Sequence, residues 1–504
     1  MLLLRCADPP LRRAGAVASL RRELSPEQLT KLAASGSAGL AAAGGTSQWA
    51  GQAALGNRPW ISHRSGDEAQ EDPWDEATGE TRRAAGGAAD GDAVGELTPL
   101  PEAALAQAVA AAKAAAKANA PAIATVLILA CNRPQYLERT IDAVVRVHAG
   151  DPRFPLVISQ DGFHEATAEV AQAAATRHGL HFMQHEQGPV PKKEKASDNP
   201  VYYRIAAHYH WALDKLFEEE RAERVIVLED DMELAPDFFE YFAAMAVVLD
   251  SDETLWCASS WNDNGQRRYV SDATALYRSD FFPGLGWMLT ARLWAELAPQ
   301  WPAAFWDDWM RLGAHRAGRQ CVRPEVSRTY NFGARGASKG QFFKQYLQDV
   351  RLADEFVPWT QRTLSYLAPG PYERRFRRAV GSARVAQSAL ELVRDGAAAA
   401  AAAPDGGGDV AVPYASRREF ENAAAQLGVF REWKDGVPRA AYKGCVTLRM
   451  HNGRTRVFIV PSAYLEEARA AVAAARKRRK GNAGAGPKKR KPAREPLGRK
   501  SGGE

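Results

Sequence analysis

Runs of consecutive apolar residues alternate with helical periodicity from about Ala122 onward. The apolar runs are residues 124–130, 154–159 and 225–228. Such runs are typical of strands that are buried on both faces. Apolar residues at helical spacing occupy residues 136–147, 165–177 and 202–217. Because strands and helices alternate in this way, the chain is predicted to form an α/β fold with an open, mostly parallel sheet.

Polar side chains stand where each apolar run ends. Arg133 follows the first run, Asp161 the second and Asp231 the third. Ligands of open α/β sheets bind beyond the carboxyl ends of the strands, so these three side chains are expected to line one site. Neither a G-x-G-x-x-G motif nor a P-loop follows the first strand, so phosphate recognition would depend on a metal and on Arg133.

Three consecutive carboxylates, Glu229, Asp230 and Asp231, end the third run. Buried carboxylates without partners are costly, so a cation is needed to neutralise them. Carboxylate oxygens suit Mg²⁺ or Mn²⁺, and such a metal usually takes its remaining ligands from water and substrate phosphates. The cluster therefore indicates a metal that carries a diphosphate. For so short a motif the alternative is a solvated acidic turn.

Residues 256–343 are rich in aromatic side chains and glycine. Within this stretch Asp307 and Asp308 lie between Trp306 and Trp309. Apolar surroundings raise the pKa of a carboxyl group, which makes the carboxylate a better base at neutral pH. The acid pair is therefore a candidate for proton abstraction. The alternative is that one of the two aspartates caps a helix inside an aromatic core.

The composition limits the class of protein. A chain of 504 residues exceeds the usual size of a single core, so two domains and tails are expected. The formal net charge of +6 comes from the C-terminus, where residues 476–504 carry twelve Lys and Arg against two Glu. The basic clusters at 476–480 and 488–491 resemble a bipartite nuclear localisation signal or a nucleic-acid-binding arm. They lack the interleaved aromatic residues that stack on bases, so nucleic acid is not expected as a partner.

The tails and linkers differ in composition from the rest. Residues 1–100 are predicted to be disordered or presequence-like, and residues 101–121 to form an alanine-rich stalk helix. The remaining divisions are a catalytic domain (122–366), a helix with a low-complexity linker (367–413), a smaller C-terminal domain (414–465) and a basic disordered tail (466–504). No stretch approaches the roughly 20 apolar residues that cross a bilayer.

Nine motifs in order resemble the α-1,3-mannosyl-glycoprotein 2-β-N-acetylglucosaminyltransferase family, N-acetylglucosaminyltransferase I. The motifs are LACNR (129–133), SQD (159–161), YYRIAAHYHWAL (202–213), EDDMELAPDFFEY (229–241), WNDNG (261–265), DFFPGLGW (280–287), AFWDDWMR (304–311), CVRPEVSR (321–328) and SKGQFF (338–343). The similarity runs from about 122 to 366 and resumes at 420–461, where GVPRAAYKG (436–444) also resembles the family. The motifs do not fix the acceptor.

The resemblance implies an inverting transferase with a GT-A fold. Such an enzyme moves N-acetylglucosamine from UDP-GlcNAc to the 2-hydroxyl of the α1,3-arm mannose of an Asn-linked high-mannose glycan. The cofactor implied is Mn²⁺, with Mg²⁺ as an alternative. By the same matching, Asp231 binds the metal and Asp307 is the catalytic base. The other positions that would bind the nucleotide sugar are Arg133, Asp161, His208, Asp230, Leu285 and Ser338.

Simpler explanations remain for three of these positions. A lone histidine within a helix, such as His208, more often packs than binds a ligand. Arg133 before a proline could form a surface ion pair, and Ser338 could be a cap. A related enzyme that uses O-linked mannose on protein is the alternative function. An inactive GT-A fold acting through the basic tail is less favoured, because the acidic residues are intact.

The sequence departs from the family in two respects. Family members carry a cysteine just after Ser-Gln-Asp, whereas Gly162 and Phe163 stand there in this chain. The resemblance therefore implies one disulfide bond, between Cys257 and Cys321, and leaves Cys131 without an evident partner. The family is held in the Golgi by an N-terminal signal-anchor helix, which is not visible in this sequence. A Golgi location and membrane association are thus expected from the resemblance alone.

Overall fold

The computed structural model describes residues 121–190, 198–334, 336, 340, 342–394 and 408–484. Several sequence predictions lie outside the described residues. They are the presequence-like region 1–100, the stalk helix up to residue 120, the low-complexity part of the linker (395–407), the tail beyond 484 and the binding residue Ser338. None of the described helices is long and apolar enough to cross a membrane.

Eight of ten strands in the catalytic region form one sheet. The strands are β1 (Thr125–Ala130), β2 (Leu156–Asp161), β3 (His181–His185), β4 (Arg224–Glu229), β5 (Met232–Leu234), β6 (Leu255–Ser259), β7 (Leu276–Ser279), β8 (Trp287–Thr290), β9 (Gln320–Pro324) and β10 (Thr329–Asn331). Their order in the sheet is β3-β2-β1-β4-β8-β6-β9-β7, and β5 pairs with β10 in a separate antiparallel ribbon.

Most neighbours in the large sheet run in the same direction. Strands β1 to β4 are parallel to one another, and β9 is parallel to β6. Strand β8 runs antiparallel between β4 and β6, and β7 runs antiparallel to β9. The predicted α/β class with a mostly parallel sheet is confirmed. Strand β3 was not predicted, because three of its five residues are polar and it lies on an edge of the sheet that is only partly buried.

Seven helices surround this sheet. They are α1 (Pro134–His148), α2 (Glu165–His178), α3 (Pro200–Asp214), α4 (Phe238–Ser251), α5 (Ala291–Leu297), α6 (Trp306–Met310) and α7 (Gly313–Arg316). The three helices predicted from periodicity are confirmed within a few residues. Their starts have a local cause, since proline occupies an early position in α1 and α3. Helix α3 continues into a π-helical turn, Lys215–Glu219, and a second such turn spans Phe343–Leu347.

The central strand β1 shows why the strand ends meet. Its side chains alternate between two cores: Val126 and Ile128 belong to one, and Leu127 and Leu129 to the other. Leu129 is aligned with Ser159 of β2 and with Glu229 of β4. Because these parallel strands end at the same level, the polar residues that follow them reach one edge of the sheet, as the sequence predicts.

A disulfide bond joins Cys257 in β6 to Cys321 in β9. The two cysteines face each other in the parallel register of these strands. The bridge implied by the family resemblance is therefore confirmed. Cys131 is also disulfide-bonded, so the expectation of a single bridge is wrong. Cys445 is a free, buried thiol.

A smaller sheet occupies the C-terminal region. Its strands, in the order β11-β12-β16-β15, are β11 (Arg384–Val385), β12 (Asp409–Tyr414), β16 (Thr455–Pro461) and β15 (Val446–Met450). A short hairpin consists of β13 (Trp433–Lys434) and β14 (Val437–Pro438). The helices of this region are α8 (Pro369–Ser382), α9 (Ala389–Arg394), α10 (Arg417–Leu427) and α11 (Ser462–Gly484).

Two predicted boundaries of the C-terminal region are displaced. Strands β11 and β12 belong to the smaller sheet, so this sheet begins before residue 414. Helix α11 runs on to Gly484, so residues 466–484 are helical rather than part of a disordered tail. Helix α8 packs against α11 at Gly381, where an added Cβ would overlap the backbone oxygen of Ala468. All described residues belong to one compact unit.

Candidate active site

The acidic residues after β4 are buried around one guanidinium group. Glu229, Asp230 and Asp231 are exposed by at most 4%. Arg133, at the end of β1, pairs with Asp230 and lies with Nη2 2.9 Å from Oδ2 of Asp231. Burial raises the pKa of Asp230 to about 7, with Arg133 opposing and Asp231 reinforcing the shift. A solvated acidic turn is therefore excluded, and the side chain of Arg133 is not at the surface.

The Asp231 carboxylate is held on two sides. Its Oδ1 accepts a 2.6 Å hydrogen bond from Nδ2 of Asn331 in β10. A Cβ at position 333 would overlap Oδ2, so the backbone of Gly333 leaves only enough room for this carboxylate. The ribbon of β5 and β10 thus orients the residue that the sequence predicts as the metal ligand.

The donor set permits a metal only if a substrate completes it. Among the described residues, no group of three or more His, Cys, Asp or Glu side chains could hold a metal ion. Asp231 contributes one carboxylate that is held rigidly in place. Its Oδ2 is paired with the guanidinium group of Arg133. Such a site fits Mn²⁺ or Mg²⁺ that takes its other ligands from water and phosphate oxygens.

Glu229 has one free oxygen in a buried position. Its Oε1 accepts a 2.9 Å hydrogen bond from the hydroxyl of Tyr209, while Oε2 has no hydrogen-bond partner. Burial, reinforced by Asp231, raises the pKa of Glu229 well above its ordinary value. The neutral form is therefore favoured, and Oε2 is available to a ligand.

A second cluster forms where β2 and β3 end. Asp161 accepts hydrogen bonds from two sides, at 2.9 Å from Nδ1 of His185 and at 2.8 Å from Nε2 of Gln187. The ring of His185 stacks on that of His208, with centroids 5.6 Å apart. His208 also lies 2.8 Å from the hydroxyl of Ser159 through Nε2. The predicted residues Asp161 and His208 thus lie in one cluster.

Burial determines the charge of His208. The residue is 1% exposed, and burial lowers its pKa to about 4 although Asp161 opposes the shift. The imidazole is therefore neutral near pH 7. His185 and Gln187 were not predicted as site residues. Residues 181–185, His-Phe-Met-Gln-His, show neither an apolar run nor alternation, so no local pattern marks the strand that brings His185 beside β2.

The two neighbouring aspartates of α6 have different surroundings. Asp307 is 6% exposed; its Oδ2 accepts a 2.9 Å hydrogen bond from Arg311, and its Oδ1 is buried without a partner. Asp308 has both oxygens bonded, at 3.0 Å to Arg311 and at 2.7 Å to Nζ of Lys434. Burial alone would raise the pKa of Asp308, but Arg311 and Lys434 lower it. Asp307 therefore keeps an oxygen free for a proton, and Asp308 does not.

Two residues near α6 have a strained backbone. Phe305, just before α6, has φ of 54°, and Leu285, in the loop before β8, has φ of 50°. A non-glycine residue in this left-handed region costs about 1–3 kcal/mol and is common at functional sites. The loop that contains Leu285 is held in place by its backbone, since the Leu285 carbonyl oxygen accepts a 2.8 Å hydrogen bond from the hydroxyl of Thr329.

A cavity that opens to solvent joins these elements; the space of about 460 Å³ outside its atoms includes part of that solvent. Its lining includes Glu229, Leu285 and Asp307 among the residues singled out from sequence. The remaining lining residues are Asp263, Pro283, Gly284, Trp306, Arg311, Phe342, Leu347, Phe430 and Arg439. The other predicted residues that the structure describes lie in the clusters around Arg133 and Asp161. Tyr209 lies close to both the acidic cluster and Asp307. Burial is the largest cause of its raised pKa, and the charges of Glu229, Asp307 and Asp231 raise it further.

The C-terminal region contributes part of the cavity wall. Arg439 pairs with Asp263 of the 261–265 turn, 2.7 Å from its Oδ1, and with Glu432. The backbone N–H of Phe430 donates a 3.2 Å hydrogen bond to Oδ1 of Asn264. From the sequence, both segments are recognised only as family-like motifs, and no role is predicted for them. No local pattern marks Asp263 or Arg439, since they meet only through the fold.

The chain is similar to known glycosyltransferases. The profile of the GNT-I family matches residues 89–470. The alpha-1,3-mannosyl-glycoprotein 2-beta-N-acetylglucosaminyltransferase of Arabidopsis thaliana is 48% identical over 339 residues, which are 67% of this chain and 74% of that protein. Among solved structures, mannosyltransferase PcManGT from Pyrobaculum calidifontis, in complex with GDP-Man and Mn²⁺, is 16% identical with a TM-score of 0.29, over 60% of this chain and 89% of that one. The family profile extends over both sheets described above.

Proposed function

Because the chain belongs to the GNT-I family, we propose that it transfers N-acetylglucosamine from UDP-GlcNAc to a mannose of glycoproteins. The acceptor atom is the 2-hydroxyl of the α1,3-arm mannose on an Asn-linked high-mannose glycan, and the anomeric configuration inverts. The observation that carries the proposal is that Asp307 and Glu229 line one cavity and that each has a buried carboxyl oxygen without a hydrogen-bond partner.

Asp307 is the catalytic base in this proposal. A single displacement needs one group that removes the proton of the attacking hydroxyl, and the free Oδ1 of Asp307 can accept it. Arg311 holds Oδ2 and so fixes the direction in which Oδ1 points. Asp308 is unsuited to this role because Arg311 and Lys434 occupy both of its oxygens.

Asp231 and Arg133 act on the diphosphate side. Asp231 would hold Mn²⁺, or Mg²⁺, and the metal when bound neutralises the charge of the departing UDP. Arg133 lies next to Asp231 and is placed to bind phosphate oxygens, in line with its role in the family. No protein acid is then required on the leaving group. Asp230 accepts hydrogen bonds from the guanidinium group of Arg133 and so holds this group at the edge of the sheet.

The cluster around Asp161 binds the nucleotide end of the donor. A carboxylate that accepts two hydrogen bonds at the end of β2 can accept the N–H of a pyrimidine base if one of its partners moves. The neutral His208 lies beside it. Leu285 contacts the sugar through the cavity wall, and Ser338 belongs to the same pocket by family resemblance. The resemblance also supports a Golgi location.

The test is transfer from UDP-GlcNAc in the presence of Mn²⁺, with a five-mannose Asn-linked glycan and an O-mannosyl peptide as separate acceptors. We expect transfer to the glycan alone, its loss with a chelator, and a fall in kcat of about 10²–10⁴-fold for Asp307→Asn. Asp308→Asn is the matched control and should keep most of the activity. Transfer to the peptide alone would favour the O-mannose enzyme, and equal losses for the two variants would refute the choice of base.

A further inference from the structure

The cavity wall contains an unpaired carboxylate oxygen to which the proposed function gives no role. Asp263 is 1% exposed and lines the cavity. Its Oδ1 accepts hydrogen bonds from Arg439 at 2.7 Å and from the indole of Trp261 at 3.3 Å. Its Oδ2 is buried without a hydrogen-bond partner. A buried polar atom of this kind costs about 1–3 kcal/mol and calls for a ligand or a structural reason.

The surroundings of Asp263 keep its carboxylate in place. Arg439 is 4% exposed and is held from its other side by Glu432. Trp261 is fully buried against Tyr346 and Phe430 in a small apolar core. The carboxylate therefore cannot turn to bring Oδ2 toward another protein donor. It presents a fixed hydrogen-bond acceptor to whatever occupies the cavity.

The charges of the cavity indicate which ligand fits. Among the described lining residues, the two guanidinium groups are already paired, Arg311 with Asp307 and Arg439 with Asp263. No unpaired cation of the described lining would attract an anion. Three carboxyl groups, those of Glu229, Asp263 and Asp307, each present an oxygen without a partner. Such a wall favours a neutral ligand with several hydroxyl donors over a phosphate.

We propose that Asp263 is a specificity residue that accepts a hydrogen bond from a hydroxyl group of the hexose ring bound in this cavity, and that Arg439 positions it. The inference rests on the proposed function, because it assumes that a sugar enters the cavity. The ring can be the N-acetylglucosamine of the donor or the mannose of the acceptor. Both offer hydroxyl donors, and kinetics distinguishes them.

The kinetic test compares Asp263→Asn with Glu432→Gln in the full chain. Both substitutions remove a carboxylate from Arg439, but Glu432 does not line the cavity. We expect Asp263→Asn alone to raise one KM by about tenfold or more with a smaller change in kcat. A rise in the donor KM places the donor ring at Asp263, and a rise in the acceptor KM places the mannose there. Equal effects of the two variants, or a loss of kcat with both KM values unchanged, would overturn the proposal.

A binding test keeps the inference separate from the transfer reaction. Ligand-observed NMR measures the binding of N-acetylglucosamine and of methyl α-mannoside to the wild-type protein, each beside its singly deoxygenated analogues. We expect one analogue to bind about tenfold more weakly than its parent to the wild type, and equally with its parent to Asp263→Asn. If every analogue binds the wild type as well as its parent does, the inference fails. This measurement needs no turnover, and its wild-type arm alone can refute the inference without a variant that must fold.

Discussion

Adjacent residues of identical type take different roles at the start of α6. Asp307 and Asp308 both bond to Arg311, yet only Asp307 keeps a buried oxygen without a partner. The difference comes from Lys434, which the hairpin of β13 and β14 brings to Asp308. From the sequence the pair could be read as an acid/base site or as a cap. The choice of Asp307 came from family resemblance, and the hydrogen bonding now gives a physical reason for it.

Gly333 offers a way to disturb Asp231 without removing its charge. Since a Cβ there would overlap the Asp231 carboxylate, Gly333→Ala should displace the carboxylate and weaken Mn²⁺ binding in the presence of UDP. The backbone of Gly333 is not in the left-handed region, so the fold should survive. Calorimetric titration of Mn²⁺ into the UDP-loaded protein measures the effect, and circular dichroism checks the fold. An unchanged metal affinity would contradict the role of Asp231.

His208 gives stability a dependence on pH. Its pKa is about 4 in the folded protein and near 6.5 when unfolded, so below pH 6.5 the unfolded chain takes up a proton that the folded chain does not. This group therefore contributes about 2 kcal/mol less stability at pH 5 than at pH 7. Urea unfolding of the wild type and of His208→Gln at both pH values measures it. The variant should lose less stability on acidification than the wild type, and equal losses would contradict the assignment.

At the scale of elements, the parallel half of the sheet was predictable and the other half was not. Strands β1, β2 and β4 are continuous apolar runs because helices or loops bury both faces. Strands β7 and β8 are four residues each and lie among aromatic residues and glycines that equally suit loops. Strand direction there depends on pairing across the sheet, which local periodicity does not encode. The sequence thus predicted that Arg133, Asp161 and Asp231 follow the ends of these strands, whereas His185, Asp263 and Arg439 were missed.

The disulfide bond between β6 and β9 should stabilise the half of the sheet in which parallel and antiparallel pairs are mixed. The bridge closes a loop with a sequence separation of 64 residues. In the chain-entropy treatment, a loop of this length contributes about 4 kcal/mol. We expect the double variant Cys257→Ala, Cys321→Ala to lose stability on this order in urea unfolding. Cys445→Ala removes a buried thiol without a bridge and serves as the control, and equal losses would argue against the role of the cross-link.

At the scale of the whole molecule, the two sheets are parts of one unit because the C-terminal region completes the cavity. Phe430 and Arg439 line it, and Lys434 bonds to Asp308. This joining was not predicted from the sequence, in which a linker separates the two domains. Each contact joins residues more than one hundred positions apart, and single-sequence reasoning does not reach such pairs without a family resemblance that spans both.

The packing of α8 on α11 is a test of this unity. Gly381→Ala would place a Cβ against the backbone oxygen of Ala468, which cannot move aside as a side chain can. We expect a loss of about 1–3 kcal/mol in stability, as for other overpacked contacts. Gly370→Ala in the same helix meets only the side chain of Arg374 and should cost much less. Denaturant unfolding of the two variants decides, and similar values would show that the helices are loosely packed.

The guanidinium of Arg133 between Asp230 and Asp231 affects the order in which ligands arrive. A divalent ion that arrives alone has to compete with a cation already in place. An ion that arrives with a diphosphate brings negative charge to which the guanidinium can transfer. The affinities for metal and nucleotide are then thermodynamically linked, each raising the other by the same factor. If Asp231 holds the metal as proposed, the resting site would bind the metal–nucleotide pair more readily than the free metal.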